Sequence, residues 1–248
     1  MRKVLLVTGG GRGIGAATCI LAAQKGWDVA VNYTANAAAA QLVVQQIQAH
    51  GARAIAVQAD VADEGQVLAM FTRVRAELGP LQGLVNNAGV VDVSARLDEM
   101  SMARWRRMFD INVLGSMLCA REAIMQMSTK HGGQGGSIVN LSSAASRLGA
   151  PGQYLDYAAA KGAIDSFTLG LAKETAGEGI RVNAIRPGLI DTEIHASGGL
   201  PNRVKELEHL VPAKRGGSAM EVAQAIVWLL SDEASYTNMS LVDVSGGR

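Results

Sequence analysis

Apolar residues fall along the chain in two rhythms. Short runs rich in Val, Ile and Leu recur at 3–8, 28–33, 53–58, 83–87, 137–142, 181–186 and 240–244. Between them lie longer stretches whose apolar positions are three and four apart, at 14–25, 37–50, 64–78, 102–127, 157–176 and 219–230. The short runs predict strands; the longer stretches predict helices, whose buried face returns every 3.6 residues. Strands that are apolar at successive positions are buried on both sides, as in a parallel sheet covered on both faces by helices. The alternation therefore predicts an α/β, doubly wound architecture of seven strands. No interior Pro/Ser linker or charge block breaks the pattern, so residues 1–248 are expected to form one domain. The segment 189–217 is the longest without a predicted strand. In a doubly wound sheet such an insertion beyond a strand's carboxyl end overlies the ligand crevice.

Composition narrows the function classes. With 48% hydrophobic and 18% charged residues, the chain can bury a sizeable core and is not disordered by composition. Lys and Arg number 23 against 22 Asp and Glu, which gives no electrostatic reason for a nucleic-acid or anionic-membrane partner. Cys19 and Cys119 lie far apart in apolar helical patterns and are expected to be buried free thiols. The four histidines form no ligand spacing, so no metal site is expected. No apolar run reaches the ~18 residues that span a bilayer. A cytoplasmic protein is expected.

The first strand leads into Thr8-Gly9-Gly10-Gly11-Arg12-Gly13-Ile14-Gly15, which opens the first helix. Glycine lets a backbone turn tightly against a pyrophosphate, and the helix N-terminus offers free N–H groups. Gly11-x-Gly13-x-x-Ala16 satisfies the looser dinucleotide pattern of Rossmann folds. A lone match of this kind also fits a simple turn; its place between strand and helix favours the nucleotide. The end of the second strand, Asn32-Tyr33-Thr34, lacks the Asp or Glu that would bond the ribose hydroxyls of NAD. With Arg12 in the turn, this favours NADP over NAD.

Tyr157-Ala158-Ala159-Ala160-Lys161 places a phenol and an ammonium one helical turn apart. A nearby cation favours phenolate, lowering a tyrosine pKa toward neutrality and making it a proton donor or acceptor. The other tyrosines, 33, 154 and 236, are followed four residues on by Ala37, Ala158 and Ser240. Alone, the pair is also an ordinary helix-surface contact.

Taken in order, the phosphate turn, Asp60-Val61, Asn86-Asn87-Ala88-Gly89, Asn112, Leu141-Ser142-Ser143, Tyr157-x-x-x-Lys161 and Pro187-Gly188 resemble the short-chain dehydrogenase/reductase family, over about residues 3–247. The similarity is greatest to bacterial oxidoreductases of glucose dehydrogenase-like or ketoacyl reductase-like type. It implies that Tyr157 is the general acid/base and that Lys161 holds the nicotinamide ribose and lowers the Tyr157 pKa. Ser143 would bond the substrate oxygen, and Asn112 would anchor a water relaying protons to Lys161. Gly9, Arg12, Gly13, Ile14, Gly15, Thr34, Asp60, Val61, Asn87, Ala88, Gly89, Pro187, Gly188, Ile190 and Thr192 would line the cofactor, with Tyr157 and Lys161 touching it as well.

The implied activity is hydride transfer between NADP and a carbonyl/secondary alcohol, with a small-molecule substrate and no nucleic-acid or membrane partner. A nicotinamide-dependent epimerase or dehydratase and a non-catalytic NADP-binding sensor or scaffold are the alternatives. The helices 102–127 and 157–176 resemble those that pair subunits in family homotetramers, and 241–244 could pack across a second interface. A homotetramer is expected. Three departures from the family pattern stand out. Ser143 lies fourteen residues before Tyr157, usually one fewer, which predicts an extra residue looped out within 153–156. Glu178 stands where carrier-protein reductases often carry a basic residue. Asn238-Met239-Ser240 replaces a frequent threonine–glycine. Val91, Val93, Leu148, Tyr154, Leu155, Ile194 and Leu200 are expected to form a mainly apolar pocket, with Asp92, Arg147 and His195 as polar elements.

Overall fold

The seven apolar runs form one sheet: β1 (Lys3–Val7), β2 (Trp27–Tyr33), β3 (Ala54–Gln58), β4 (Leu81–Asn86), β5 (Gly136–Leu141), β6 (Ile180–Pro187) and, last in the chain, β9 (Leu241–Val244). The computed structural model describes residues 2–248 apart from the side chain of His195, so the reading of His195 as a pocket residue lies outside the described residues. The strand order is β3-β2-β1-β4-β5-β6-β9, every pair parallel. Because β1 sits between β2 and β4, the crossovers run in opposite directions from it. That leaves a crevice at the carboxyl ends of β1 and β4, where doubly wound sheets bind ligands.

Helices cover both faces, as the periodicity predicts. Leu5 and Val7 face a core shared with Cys19, Val43 and Ile226; Val4 and Leu6 face another, with Met70, Phe71 and Ala123. Each fully buried side chain of this size contributes ~1.5–3 kcal/mol, so the sheet is held from both sides. The helices on the first face are α1 (Gly13–Gln24), α2 (Ala37–Ala49) and α10 (Ala219–Leu230). The other face is covered by α3 (Glu64–Glu77), α5 (Gly115–Met127) and α7 (Leu155–Thr175). Side chains start several of them: Asn36 accepts from the Ala39 N–H, Asp63 from Gln66, and Ser218 and Glu221 form a capping box.

The stretch predicted as one helix, 102–127, is interrupted. α4 (Met102–Phe109) passes through a wider π turn, Asp110–Leu114, before α5. The turn centres on the fully buried Asn112. Its amide donates to the carbonyls of Val90 and Met108 (both 3.0 Å) and its oxygen accepts from Val90 N–H at 3.2 Å. Reaching out to the chain beyond β4 in this way accompanies the extra residue in the turn.

The segment 189–217 also departs from expectation. Its ends, β7 (Ile190–Asp191) and β8 (Gly217–Ser218), pair as a second, two-stranded parallel ladder. Between them stand two short helices, α8 (Ile194–Ser197) and α9 (Arg203–Leu207). Before α7 lies the short α6 (Ala145–Leu148). The change at 238–240 has a structural account. Met239 adopts φ +62°, the left-handed region that favours glycine. Asn238 bonds Val182 N–H at 2.7 Å and donates to Ala172 O at 3.3 Å, fixing that turn against β6 and α7.

Candidate active site

The turn after β1 is held by other segments rather than by itself. Gly9 N–H donates to the Asn32 side-chain oxygen (3.1 Å) and Gly10 N–H to the Asn32 carbonyl (2.8 Å), while the Asn32 amide donates to Val57 and Ala59 carbonyls. From the other side the Asn87 amide donates to the carbonyls of Thr8 (2.8 Å) and Gly9 (3.0 Å). The Thr8 hydroxyl accepts from Asn87 and Ala88 N–H groups. Gly15 closes the packing: a Cβ there would meet Gly9 O and the Asn87 amide nitrogen at 2.6 Å or less. Gly13, at φ +52°, faces Thr192 and Glu193.

Unlike α2, α3 and α10, α1 begins without a side-chain cap; its N-cap residue, Arg12, is extended and makes no capping bond. The first-turn N–H groups lie beside a glycine turn with no acidic residue in it, an arrangement that accepts an anionic group. The residues thus fit a dinucleotide pyrophosphate. Arg12 and Thr34 are exposed near this end. Asp60 accepts from Ala62 N–H at the end of β3. The Val61 side chain turns away into the core, where Gly115 makes room for it. Any contact of Val61 with a cofactor is therefore left to its backbone.

A cavity of about 540 Å³ opens beside the turn. Of the expected site residues it brings together Ile14, Asn87, Gly89, Ser143, Tyr157, Lys161, Pro187, Gly188, Ile190 and Thr192. Gly9, Arg12, Gly13, Gly15, Thr34, Asp60, Val61 and Ala88 lie outside it, along the path of the turn and the ends of β2 and β3; Asn112 is buried behind it. Leu189, between Gly188 and Ile190, adds a buried apolar side chain to the wall.

β5 delivers two serines to opposite tasks. Ser142 donates to the Lys161 carbonyl at 3.2 Å, whereas the Ser143 oxygen accepts from Ala145 N–H at 3.1 Å and stands beside the Tyr157 phenol. Lys161 donates to the Leu141 carbonyl at 2.7 Å, with its nitrogen 5.5 Å from the centre of the Tyr157 ring. Burial pushes the Tyr157 phenol up to about 12, with the Ser143 hydroxyl acting in the lowering direction. Burial also brings Lys161 down to about 8, opposed by the charge of Asp165. The expected drop of the Tyr157 pKa toward neutrality is therefore not met in this arrangement: desolvation outweighs the Ser143 hydrogen bond, and the Lys161 ammonium is turned to Leu141.

The chain ahead of α7 is irregular mainly before the stretch 153–156, in which an extra residue is expected. Gly149, Ala150 and Gly152 have positive φ, so the irregular loop spans these positions, while Leu155 and Asp156 are already the first residues of α7. Asp156 is buried and doubly bonded by Arg104 (2.7 and 3.1 Å), and it accepts from Tyr157 N–H at 2.9 Å. Arg104 also donates to Val93 O, linking the loop after β4 to the start of the tyrosine helix.

The substrate end of the cavity differs in part from expectation. Val91, Leu148, Tyr154 and Ile194 line it. Val93 and Leu155 are exposed and, like Leu200, lie off its wall. Asp92 pairs with Arg107 at 3.6 Å and Arg147 with Asp243 at 3.3 Å, so neither provides the pocket's polarity. Gln153, Arg203 and Arg248 line it instead. Sequence spacing holds no signal for these three, nor for Arg104 and Asp156, because their contacts join residues about fifty or more positions apart. Asn32 was within view at the end of the second strand, but only the fold reveals it as the anchor of the turn.

The sheet order, the uncapped helix behind a glycine turn and the Ser–Tyr–Lys cluster define a nucleotide-type oxidoreductase scaffold. Residues 9–248 match the family described as enoyl-(acyl carrier protein) reductase. The chain belongs to the short-chain dehydrogenase/reductase family and is an enzyme of the class acting on CH–OH donors with NAD or NADP. It is 54% identical over 245 residues to the uncharacterized oxidoreductase YgfF of Escherichia coli (strain K12), covering 99% of each chain. Identity to the 3-oxoacyl-(acyl-carrier-protein) reductase FabG of Staphylococcus aureus (strain Mu50) is 37%, over 100% of this chain and 98% of that one. Among solved structures, a short chain dehydrogenase from Burkholderia cenocepacia J2315 in complex with NADP superposes with a TM-score of 0.90. That pair is 32% identical and covers 99% of this chain and 97% of the other.

Proposed function

We propose that the protein is an NADP-dependent oxidoreductase interconverting a carbonyl and a secondary alcohol, with Tyr157 as general acid/base. The observation that carries this reading is the meeting of Ser143, Tyr157 and Lys161 in one cavity that also reaches Ile14 and Thr192 beside the phosphate turn. The bound nicotinamide supplies or accepts the hydride. In the reductive direction Tyr157 gives its proton to the substrate oxygen. A phenol near 12 holds that proton at neutral pH, and Ser143 donates a hydrogen bond to the same oxygen as charge develops. The Lys161 ammonium would stabilise the phenolate left behind and, with NADP bound, would hold its nicotinamide ribose. Asn112, fixed to Val90 in the π turn, orders the backbone through which a water reaches Lys161.

Arg12, with no carboxylate at Tyr33-Thr34, supports NADP over NAD. Glu178 is engaged by Ser128, and its negative charge disfavours an acidic carrier protein as partner. The substrate is then a free small molecule, and the protein works in the cytoplasm as a single-domain subunit. Exposed apolar residues of α4 and α5, Phe109, Met117 and Met125, suit the helix pairing of a homotetramer, which light scattering at micromolar concentration tests. A monomeric mass would overturn it.

The reading as a whole is tested by fluorescence titration with NADPH and NADH, followed by turnover of Tyr157→Phe. NADPH should bind at least about tenfold tighter than NADH, and the variant should lose ~10²–10⁴-fold in kcat while binding NADPH within twofold of the parent. Preference for NADH overturns the cofactor assignment; substantial residual turnover in the variant overturns the role of Tyr157.

A further inference from the structure

Arg203, the first residue of α9, is half-buried and lines the cavity, and its guanidinium is held differently from those of Arg104, Arg186 and Arg181. Arg104 and Arg186 are each matched by a carboxylate, Asp156 and Asp165. Arg181 spends its terminal nitrogens on the carbonyls of Leu229, Ser231 and Thr237. Among the described residues, Arg203 has neither kind of matching. Its guanidinium carbon lies 5.2 Å from the centre of the Tyr154 ring, and one of its nitrogens donates to the Gln153 side-chain oxygen at 2.8 Å. Tyr154 is only 6% exposed, so the stacking platform is fixed. These contacts set the plane of the guanidinium yet use a single terminal nitrogen. Among the described residues, no acceptor meets its Nε or the second terminal nitrogen.

The surroundings sharpen the imbalance. Lys161, Arg203 and Arg248 line the cavity, and among the described residues no Asp or Glu side chain does. The neighbouring wall, with Leu148, Ile194, Leu207 and Leu210, is apolar. A cation beside such a wall attracts an anion more strongly than one in open water, and a planar guanidinium fits a carboxylate through two parallel bonds. Gln153 and Tyr154 immediately precede the first turn of α7, which carries Tyr157. Arg203 and Tyr157 line one cavity, so a molecule whose anion Arg203 holds can turn its other end to the phenol. A tether between α9 and Gln153 would need no charge.

We propose that Arg203 recognises a carboxylate on the substrate, which is an apolar carbonyl or alcohol compound carrying that charge away from the reacting carbon. The inference rests on the oxidoreductase reading of the same cavity. Its test compares 3- and 4-carboxybenzaldehyde with their methyl esters, using NADPH, in the parent protein, Arg203→Gln and Arg203→Lys. The parent should prefer at least one acid over its ester by about tenfold or more in kcat/KM. Arg203→Gln should abolish that ratio, losing tenfold on the acid and less than twofold on the ester, and Arg203→Lys should keep part of it. Equal losses on acid and ester would mean a structural role and would overturn the proposal, as would a parent without preference.

Calorimetric titration of the NADP-loaded protein with benzoate and benzamide separates this proposal from the reading beneath it. Tighter benzoate binding that disappears in Arg203→Gln, with no turnover of any aldehyde, would keep the carboxylate site and sink the reductase. Turnover without any preference for the acids, and equal binding of benzoate and benzamide, would do the reverse. Neither turnover nor a benzoate preference would sink both.

Discussion

The two ends of the cavity are built by different means. At the phosphate turn, glycine lets backbone meet backbone: Gly15 presses on Gly9, so that an added Cβ would lie 2.4 Å from the Gly9 carbonyl oxygen. At the substrate end, side chains do the joining: Arg104 with Asp156, Arg203 with Gln153 and Tyr154. The first kind of construction admits glycine and little else, whereas the second admits any pair of complementary groups. One end is therefore constrained to a sequence pattern, and the other is free to diverge while the sheet beneath it stays the same.

The largest effect should come from breaking a side-chain joint. Arg104→Met strands the Asp156 carboxylate, whose side chain is 1% exposed, and should lower stability by about 3–5 kcal/mol in urea unfolding. Asp156→Asn added to it should restore part of the loss. If the damage is local to the substrate end, kcat falls while NADPH affinity changes little. A loss in NADPH affinity as large as the loss in kcat would show that the two ends are not independent.

Next in size is the backbone joint. Gly15→Ala should cost about 1–3 kcal/mol by overpacking and weaken NADPH binding about tenfold or more, measured by thermal unfolding and fluorescence titration. A variant as stable and as avid as the parent would mean that the turn and the Asn87 loop part easily. The distinction between the two ends would then fall.

The smallest effect concerns pH. Lys161 is lowered from 10.5 to about 8 in the folded protein, so between about pH 8 and 10.5 the unfolded chain holds the extra proton. Stability from this group therefore rises with pH across that window. Tyr157, raised from 10 to about 12, contributes in the opposite direction above about pH 10, where the unfolded chain loses a proton that the folded one keeps. From pH 7.5 to 9.5 the parent should gain about 1–2 kcal/mol relative to Lys161→Met in urea midpoints. An equal pH dependence in both proteins would mean that the ammonium is hydrated.

These constructions also explain what the sequence discloses. The seven strands follow from apolar runs because a sheet buried on both faces leaves few polar positions within a strand. The phosphate turn and Tyr157-x-x-x-Lys161 are local, so spacing alone exposes them, and their arrival in one cavity follows from the strand order. The interruption at Asn112 is hidden, because a π turn adds one residue without disturbing the apolar rhythm on either side. So are Arg203 and Gln153, fifty positions apart, and the irregular loop at Gly149, Ala150 and Gly152. The direction of the Tyr157 shift could not be had from composition either, since it depends on how much protein surrounds the phenol. Lys161 four residues on argues for a fall, and burial decides for a rise.

The small ladder between β7 and β8 has a consequence for how the enzyme can change. By fastening Ile190–Asp191 to Gly217–Ser218, it closes residues 192–216 into a cassette whose two ends are already side by side. Closing a longer or shorter loop between fixed ends alters the free energy by only ~0.6 kcal/mol per doubling of length. Helices α8 and α9 can therefore be lengthened, trimmed or replaced with little strain transmitted to β6, provided that residues 211–213 keep their packing on Gly246 and Gly247 after β9. A scaffold with such a fastening can acquire a new substrate by exchanging one segment, with its nucleotide-binding half left as it is.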